Sequence, residues 1–485
     1  MPPKPMGGPP GNNPLGTAPI QKLLVQFAIP AILSALLGAV YNLTDQVFIG
    51  QKIGYLGNAA TTVAYPLTIV CGALGLLFGI GATVHFNILQ GKGQTDEALQ
   101  YGAKGISMVS LCGVTVMALT LVFTTPILYL FGATEEVLPY AQTYLRITAL
   151  GIPFLMLTNG GTLLIRADGS PKYTLMCSIA GVAANIILDF LFLYPMGMGV
   201  EGAALATILG QILSAILVVR YLRHLKTGPL KKEYFKVQKS YVANMVKIGA
   251  AASLNQVAML LSQVVLNSSL RHYGELSVYG SSEALAAAGV VAKVNMIFYS
   301  VIIGFSVGCE PIMGFNYGAK NYARVRETYR KTLVFVLVIG LLEFACFWLF
   351  PNQLLSVFGE GTAAYGDFAI RYMHIFMFMV AINGVAPVTM NMLSSTGKAK
   401  RGTIISLTRQ IFLFIPMLLI LPLFLGLDGV LFAGPAADLI AMVIAHDLFG
   451  VDVTGLPPVI TWKGETIVSM PEEDARELQR VVMEL

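Results

Sequence analysis

Twelve mostly apolar runs, each about as long as a helix that crosses a bilayer, constrain this chain more than any other feature. They cover approximately 20–47, 58–90, 101–130, 136–167, 171–194 and 200–226, then 239–273, 283–317, 325–350, 364–396, 400–425 and 429–447. Backbone in lipid must satisfy its own hydrogen bonds, so each run reads as a transmembrane α-helix. The ten-residue alternation of a membrane barrel is absent. Only 12% of the 485 residues are charged, against roughly 25% in soluble domains. The expected fold class is an all-α polytopic membrane protein.

The first six runs resemble the second six at an offset of 227 residues. FGIGATVHFNILQG at 78–91 aligns with FSVGCEPIMGFNYG at 305–318, LFGA at 130–133 with VFGE at 357–360, and GVEG at 199–202 with GLDG at 426–429. DGSPK at 168–172 meets TGKAK at 396–400 after a one-residue slip. Because each copy has an even number of spans, both enter the membrane from the same side. Such parallel repeats are found among secondary transporters. The expectation is two pseudo-symmetric six-helix lobes, 20–226 and 239–447, with a cytoplasmic linker at 227–238 and a cleft between the lobes.

Lys and Arg concentrate in one set of loops. Lys92, Lys104, Arg166, Lys172, the cluster from Arg220 through Lys239, Lys320 to Lys331, and Lys398 to Arg401 all fall on one side. By the positive-inside rule that side is cytoplasmic, with both termini on it, in a multi-pass protein of the cell inner (plasma) membrane. A net charge of +5 is modest, and no nucleic-acid role follows. Residues 1–19, rich in Pro, Gly and Asn, read as a disordered leader without a cleavable signal. The five cysteines all lie in apolar stretches and read as packing residues. No catalytic constellation, phosphate loop or metal-binding Cys/His spacing appears. Neither an enzyme nor a resident cofactor is expected.

A carboxylate or ammonium at a helix centre costs about 2.5–3.5 kcal/mol on insertion scales, so intramembrane charges are candidates for function. The candidates are Asp45, Asp189, Lys293, Glu310, Glu343 and Asp438. Asn185 and Asp189, in AANIILDFLFL, are four apart and share a helix face. Asp45 near the outer end of the first helix and Thr207 in the sixth lie at similar depth. Two carboxylates, an amide and a hydroxyl suit a hard cation such as Na⁺, or a shared proton. At the 227 offset these four become His272, Phe412, Pro416 and Gly434, so the cluster was not copied with the scaffold. Packing residues should recur in both copies, whereas a dedicated ion site need not.

Pro30 removes a backbone hydrogen bond within the first helix and marks a candidate hinge. In the tenth span, Met377, Met379, Asn383 and Met390 are candidates for an adaptable substrate cavity, the alternative being ordinary gap-filling. Asp438 is a secondary proton-site candidate, Glu310 is placed near water at the cytoplasmic end, and His85 reads as a packing residue.

FAIPAILSALLGAVYNLTDQVFIG at 27–50, GKG at 91–93, AANIILDFLFL at 183–193, GVEGAALAT at 199–207 and PIMGFNYGAK at 311–320 together resemble one known family. It is the multidrug and toxic compound extrusion (MATE) family, especially its DinF-type branch in the MOP flippase superfamily, and the resemblance covers roughly residues 15–445. It implies twelve helices in two lobes that export cationic or amphipathic compounds by antiport against H⁺ or Na⁺ with alternating access. It also implies a coupling site at Asp45, Asn185, Asp189 and Thr207, with a bending first helix at Pro30. Other branches rely on acidic residues in helices 7 and 10. Here Asn255, Gln256 and Gln263, and Asn383 and Asn391, stand in those helices, which favours the first-lobe mechanism.

The expected partners are small organic substrates and the lipid bilayer, and the expected state is a monomer. An alternative in the same superfamily is a flippase of lipid-linked saccharides, though few helix cations beyond Lys293 could meet a pyrophosphate. A third reading is a receptor or scaffold recruiting a partner through the atypical tail at 448–485. In that tail VITWKGETIVS reads as a small hairpin and PEEDARELQRVVMEL as a short amphipathic helix.

Overall fold

A computed structural model describes residues 13–53, 55–131, 133, 135–356, 363–449, 459–462 and 465–469. The first lobe comprises α1 (Ile20–Ile53), α2 (Tyr55–Gly91), α3 (Thr95–Val122), α4 (Leu138–Ala167), α5 (Pro171–Leu193) and α6 (Val200–Leu222). The second comprises α7 (Lys239–Glu275), α8 (Ser281–Gly318), α9 (Tyr322–Leu349), α10 (Ala363–Ile375 with Val380–Ser395), α11 (Ala399–Leu425) and α12 (Leu427–Phe449). Ten helices are long and apolar enough to cross a membrane, and α10 makes an eleventh when its two pieces, bent by 54°, count as one span. With α12, each of the twelve expected runs has its helix.

Local chemistry explains where the helices depart from the expected runs. The third run was expected to reach residue 130, yet α3 stops at Val122 and a separate helix covers Thr124–Leu130. Pro126 has no N–H to offer the Val122 carbonyl, and the Thr124 hydroxyl donates to the Thr120 carbonyl at 2.7 Å instead. Pro351 ends α9 in the same way and opens Pro351–Ser356. Within α11 the turns widen to a π-helix over Thr408–Phe414. Pro416 lies two residues beyond and cannot donate to the Phe412 carbonyl, so a register change before it strands no donor.

The duplication is visible in the turns. After α2, Gly93 (φ 77°) donates to the Gln90 carbonyl and Gln94 to that of Leu89, at 3.0 and 2.9 Å. After α8, Lys320 (φ 58°) donates to the Tyr317 carbonyl and Asn321 to that of Asn316, at 3.0 and 2.8 Å. Gly169 and Gly397, both at φ 79°, close α4 and α10 with the same pair of bonds. Each is a left-handed helix stop that satisfies otherwise orphaned carbonyls.

The lobes meet where backbone presses on side chain. On α8, a Cβ at Gly304 would lie 2.6 Å from Ile32 Cα, and one at Gly308 would lie 2.7 Å from Ala28 Cα, both on α1. On α7, a Cβ at Gly249 would lie 2.6 Å from the Leu77 carbonyl carbon of α2. The α8 residue Gly318 approaches Ile88 in the same manner. These contacts occupy the halves of α1, α2, α7 and α8 nearest the basic loops. Elsewhere the helices turn apolar side chains such as Leu342, Val264 and Phe424 outward, as a lipid belt requires.

The N-terminal segment differs from expectation over 13–19. Asn13 Oδ1 accepts from the Leu15 amide at 3.0 Å and caps a short helix, Pro14–Thr17. The Arg324 guanidinium then donates to the carbonyls of Leu15 and Ala18 at 3.1 and 2.6 Å, and Asn316 Nδ2 donates to Leu15 O at 2.9 Å. Composition hid this order because the partners lie some 300 residues away. Residues 1–12 are outside the described set.

In the linker, Asp168 gathers the chain after α6. It accepts from Tyr221 Oη (2.9 Å), the amides of Lys226 (2.7 Å) and Thr227 (2.9 Å), and Thr227 Oγ1 (2.5 Å). Burial pushes its carboxyl above the usual range, and those hydrogen bonds act against the shift. In the tail, β1 (Val459–Trp462) and β2 (Glu465–Ser469) pair antiparallel with Trp462 opposite Glu465, as the hairpin reading expects. The expected helix over 471–485 falls outside the described residues.

Candidate functional site

The buried residues of α5 include Cys177, Gly181, Asn185, Asp189 and Leu193, a strict four-residue spacing, while Ile187 and Phe190 face outward. One face therefore carries the polar pair into the lobe. A Cβ at Gly210 of α6 would lie 2.8 Å from the Gly181 carbonyl oxygen and 3.1 Å from Asn185 Cβ. Glycine there lets α6 press against α5 and bring Thr207 beside Asn185. Asp45 of α1 comes to the same place, and Tyr41 and Tyr144 stand within interaction range of Thr207 and both carboxylates.

All four expected residues are buried: Asp45 at 7%, Asn185 at 3%, Asp189 at 1% and Thr207 at 7% exposure. Among the described residues, both oxygens of Asp189, both polar atoms of Asn185, Thr207 Oγ1 and Asp45 Oδ1 have no hydrogen bond of good geometry, although Asp189 faces Asp45 and Asn185, and Thr207 faces Tyr41 and Tyr144. Native proteins rarely leave so many buried polar atoms unsatisfied, and an explanation such as an ion is called for. The donor set, two carboxylates with neutral amide and hydroxyl oxygens, suits a monovalent hard cation. A cavity of about 190 Å³ adjoins it, lined by Tyr41, Thr158, Asn185, Thr207 and Gln211 among others. Pro30 is buried within an unbroken α1, where the Ser34 hydroxyl donates to its carbonyl at 2.9 Å.

Sequence reading missed Tyr41 and Tyr144. Tyr41 lies one turn before Asp45 on α1, a spacing that could have flagged it. Tyr144, on α4, gave no such signal.

The second lobe encloses a cavity of about 180 Å³ lined by Tyr299, Glu343, Asn383, Met390 and Arg409 among others. Of the four expected cavity residues, Asn383 and Met390 line it. Met377 packs instead into the lobe core at 4% exposure, and Met379 sits at the start of the turn Val380–Asn383 where α10 bends. Asp438 is not a lone acid: Arg409 Nε donates to its Oδ1 at 2.5 Å, and Arg409 Nη2 donates to Asn383 Oδ1 at 2.7 Å. Arg409 escaped the sequence reading although it lies inside the eleventh run, and the π-helix presents it. Glu310, expected near water, is 7% exposed and lies near Arg166 of the other lobe. Lys293 is exposed. His85 stacks on Tyr101 at 4.3 Å and bonds the Gly81 carbonyl at 2.9 Å, a packing role.

Comparison with known proteins agrees with this architecture. The multidrug export protein MepA of Staphylococcus aureus (strain NCTC 8325 / PS 47) is 26% identical over 434 residues, covering 88% of this chain and 94% of the relative. MepA of Staphylococcus saprophyticus is 25% identical over 429 residues, covering 87% and 92%. Among solved structures, an outward-facing multidrug resistance MATE family transporter of the MOP superfamily superimposes with a TM-score of 0.82 at 21% identity, covering 93% of this chain and 97% of that one. A MOP superfamily transporter from Pyrococcus furiosus does so at 0.82 and 20%, covering 91% and 97%. The profile of the MatE family matches residues 30–191 and 251–420, most of both lobes. The chain belongs to the MATE family of transporters.

Proposed function

We propose that this protein exports cationic or amphipathic small molecules by antiport against Na⁺ or H⁺. The observation that carries the reading is the set of unpartnered polar atoms on Asp45, Asn185, Asp189 and Thr207, all buried in one lobe. A bound Na⁺, or a proton shared by the carboxylates, would offset the cost of holding these charges away from water. The names of the two MepA relatives, multidrug export proteins, support the substrate class.

The seam at the basic end supports a direction of access. With α8 pressed on α1 and α7 on α2 at that end, the two cavities described above lie on its far side, while a third, lined by Lys247, Gly397, Lys400 and Thr403, lies within the second lobe at the basic end. Under the positive-inside rule the sealed end is cytoplasmic, and the conformation is outward-facing. Cation binding among α1, α5 and α6 changes the packing of α1, which also forms the seam through Ala28 and Ile32. A ligand shifts such an equilibrium only by its differential affinity for the two states, and a site formed by three helices supplies that difference. The flippase alternative weakens because Arg409, the cation of the second cavity, is neutralised by Asp438.

The test is Asp189→Asn in proteoliposomes loaded with a fluorescent cation, with Na⁺ and H⁺ gradients imposed separately. Wild type is expected to move the dye against one of them and the variant against neither. Gradient-driven transport by the variant at the wild-type rate would sink the reading.

A further inference from the structure

Glu343, on α9, is the one acidic side chain among the described residues that line the second-lobe cavity, and the coupling scheme makes no use of it. It is 1% exposed, and its Oε1 has no hydrogen-bond partner among the described residues. Arg409 does not neutralise it. That guanidinium is committed to Asp438 and Asn383 at 2.5 and 2.7 Å. Around the cavity there are therefore one paired cation, its paired anion, and one carboxyl with an unpartnered oxygen.

We propose that Glu343 anchors the positively charged nitrogen of a transported compound, making the second lobe a substrate site distinct from the first-lobe ion site. This inference rests on the export reading above. The rest of the lining fits such a ligand: Met259 and Met390 offer deformable apolar contact, and Tyr299 offers an aromatic face for a cation. The amide of Asn295 adds hydrogen-bonding capacity. A volume of about 180 Å³ admits the charged part of such a ligand. The Arg409–Asp438 pair sets the electrostatic selection. An anionic ligand would meet the Glu343 carboxyl with no free cation to receive it, whereas a monocation favours its ionised form. One carboxylate also limits the site to one positive charge, so dications gain little over monocations.

Equilibrium dialysis of ethidium against the purified full-length protein tests this without any ion gradient. Glu343→Gln is expected to weaken binding about tenfold or more, the usual consequence of losing a charge-assisted contact. Its melting temperature should not fall, since it replaces a buried carboxyl with an unpartnered oxygen by a neutral group of the same shape. Glu327→Gln, the same chemical change at an exposed carboxyl of α9 outside the cavity, is expected to keep ethidium affinity within about threefold of wild type. Unchanged ethidium binding by folded Glu343→Gln overturns the proposal. So does an equal loss for ethidium and an uncharged transported compound, because that marks a change of shape and not of charge. Should wild type bind ethidium in a Glu343-dependent manner yet show no gradient-driven efflux, the export reading fails while the site stands.

Discussion

Gly93 and Lys320 hold the same left-handed turn, one after α2 and the other 227 residues later after α8. Glycine adopts that conformation freely, whereas a residue with a Cβ is strained by roughly 1–2 kcal/mol. Lys320→Gly is therefore expected to raise the thermal midpoint in detergent, and Gly93→Ala to lower it. Equal midpoints for Lys320→Gly and wild type in a fluorescence melt would count against strain at this turn.

Asp45 and Asp189 form one site, so their substitutions should not add. Asp45→Asn and Asp189→Asn are each expected to abolish gradient-driven efflux, and the double variant to do no more. Expression and melting temperature should be preserved, because each change removes a buried charge without a full set of partners. Residual coupled transport in either single variant, lost only in the double, would show two independent sites.

The Arg409–Asp438 pair predicts a thermodynamic cycle. Removing one partner of a buried pair leaves a charge uncompensated, at about 3–5 kcal/mol. Arg409 is partly exposed, which places the loss toward the lower end of that range. Arg409→Met and Asp438→Leu alone should each lower stability clearly, and together they should restore most of it. A chemical denaturation series on the four proteins would reveal the coupling or its absence.

Asp168 offers a parallel case outside the membrane. Asp168→Asn turns an amide N–H₂ toward donors from either Thr227 or from Tyr221 and Lys226, and at least one hydrogen bond is lost. The expected cost is about 1–3 kcal/mol. Limited proteolysis of the segment after α6 should speed up, and wild-type cleavage rates would argue that the linker is held by other contacts.

The seam between lobes should respond to bulk. Gly249→Val places methyl groups against the Leu77 backbone, and Gly308→Val does the same at Ala28. Both variants are expected to favour states in which the basic end is open. Spin labels on α2 and α8 near that end should then report longer distances, and an unchanged distance distribution would refute the closure argument.

How much of this was legible beforehand follows from the range of each interaction. The apolar runs and the 227-residue repeat are local or periodic signals, and they located the twelve helices. The i, i+4 spacing placed Asn185 and Asp189 on one face because helix geometry alone decides it. The break in α10, the packing of Met377 into the core and the pairing of Asp438 with Arg409 depend on which helix lies next to which. No spacing rule encodes those neighbours. The order at 13–19 was hidden for the same reason, since a Pro- and Gly-rich segment gained its structure from Arg324.

That last contact has a consequence for how the protein is made. The carbonyl of Leu15 and the Arg324 guanidinium that binds it are 309 residues apart in the chain. At synthesis rates of about 5–20 residues per second, the leading segment waits roughly 15–60 s for its partner to emerge from the ribosome. Throughout that interval α1 is held by lipid and by the helices of its own lobe. The clasp between the leading segment and the second lobe thus closes only late in translation, after the whole first lobe and the first two helices of the second have been made.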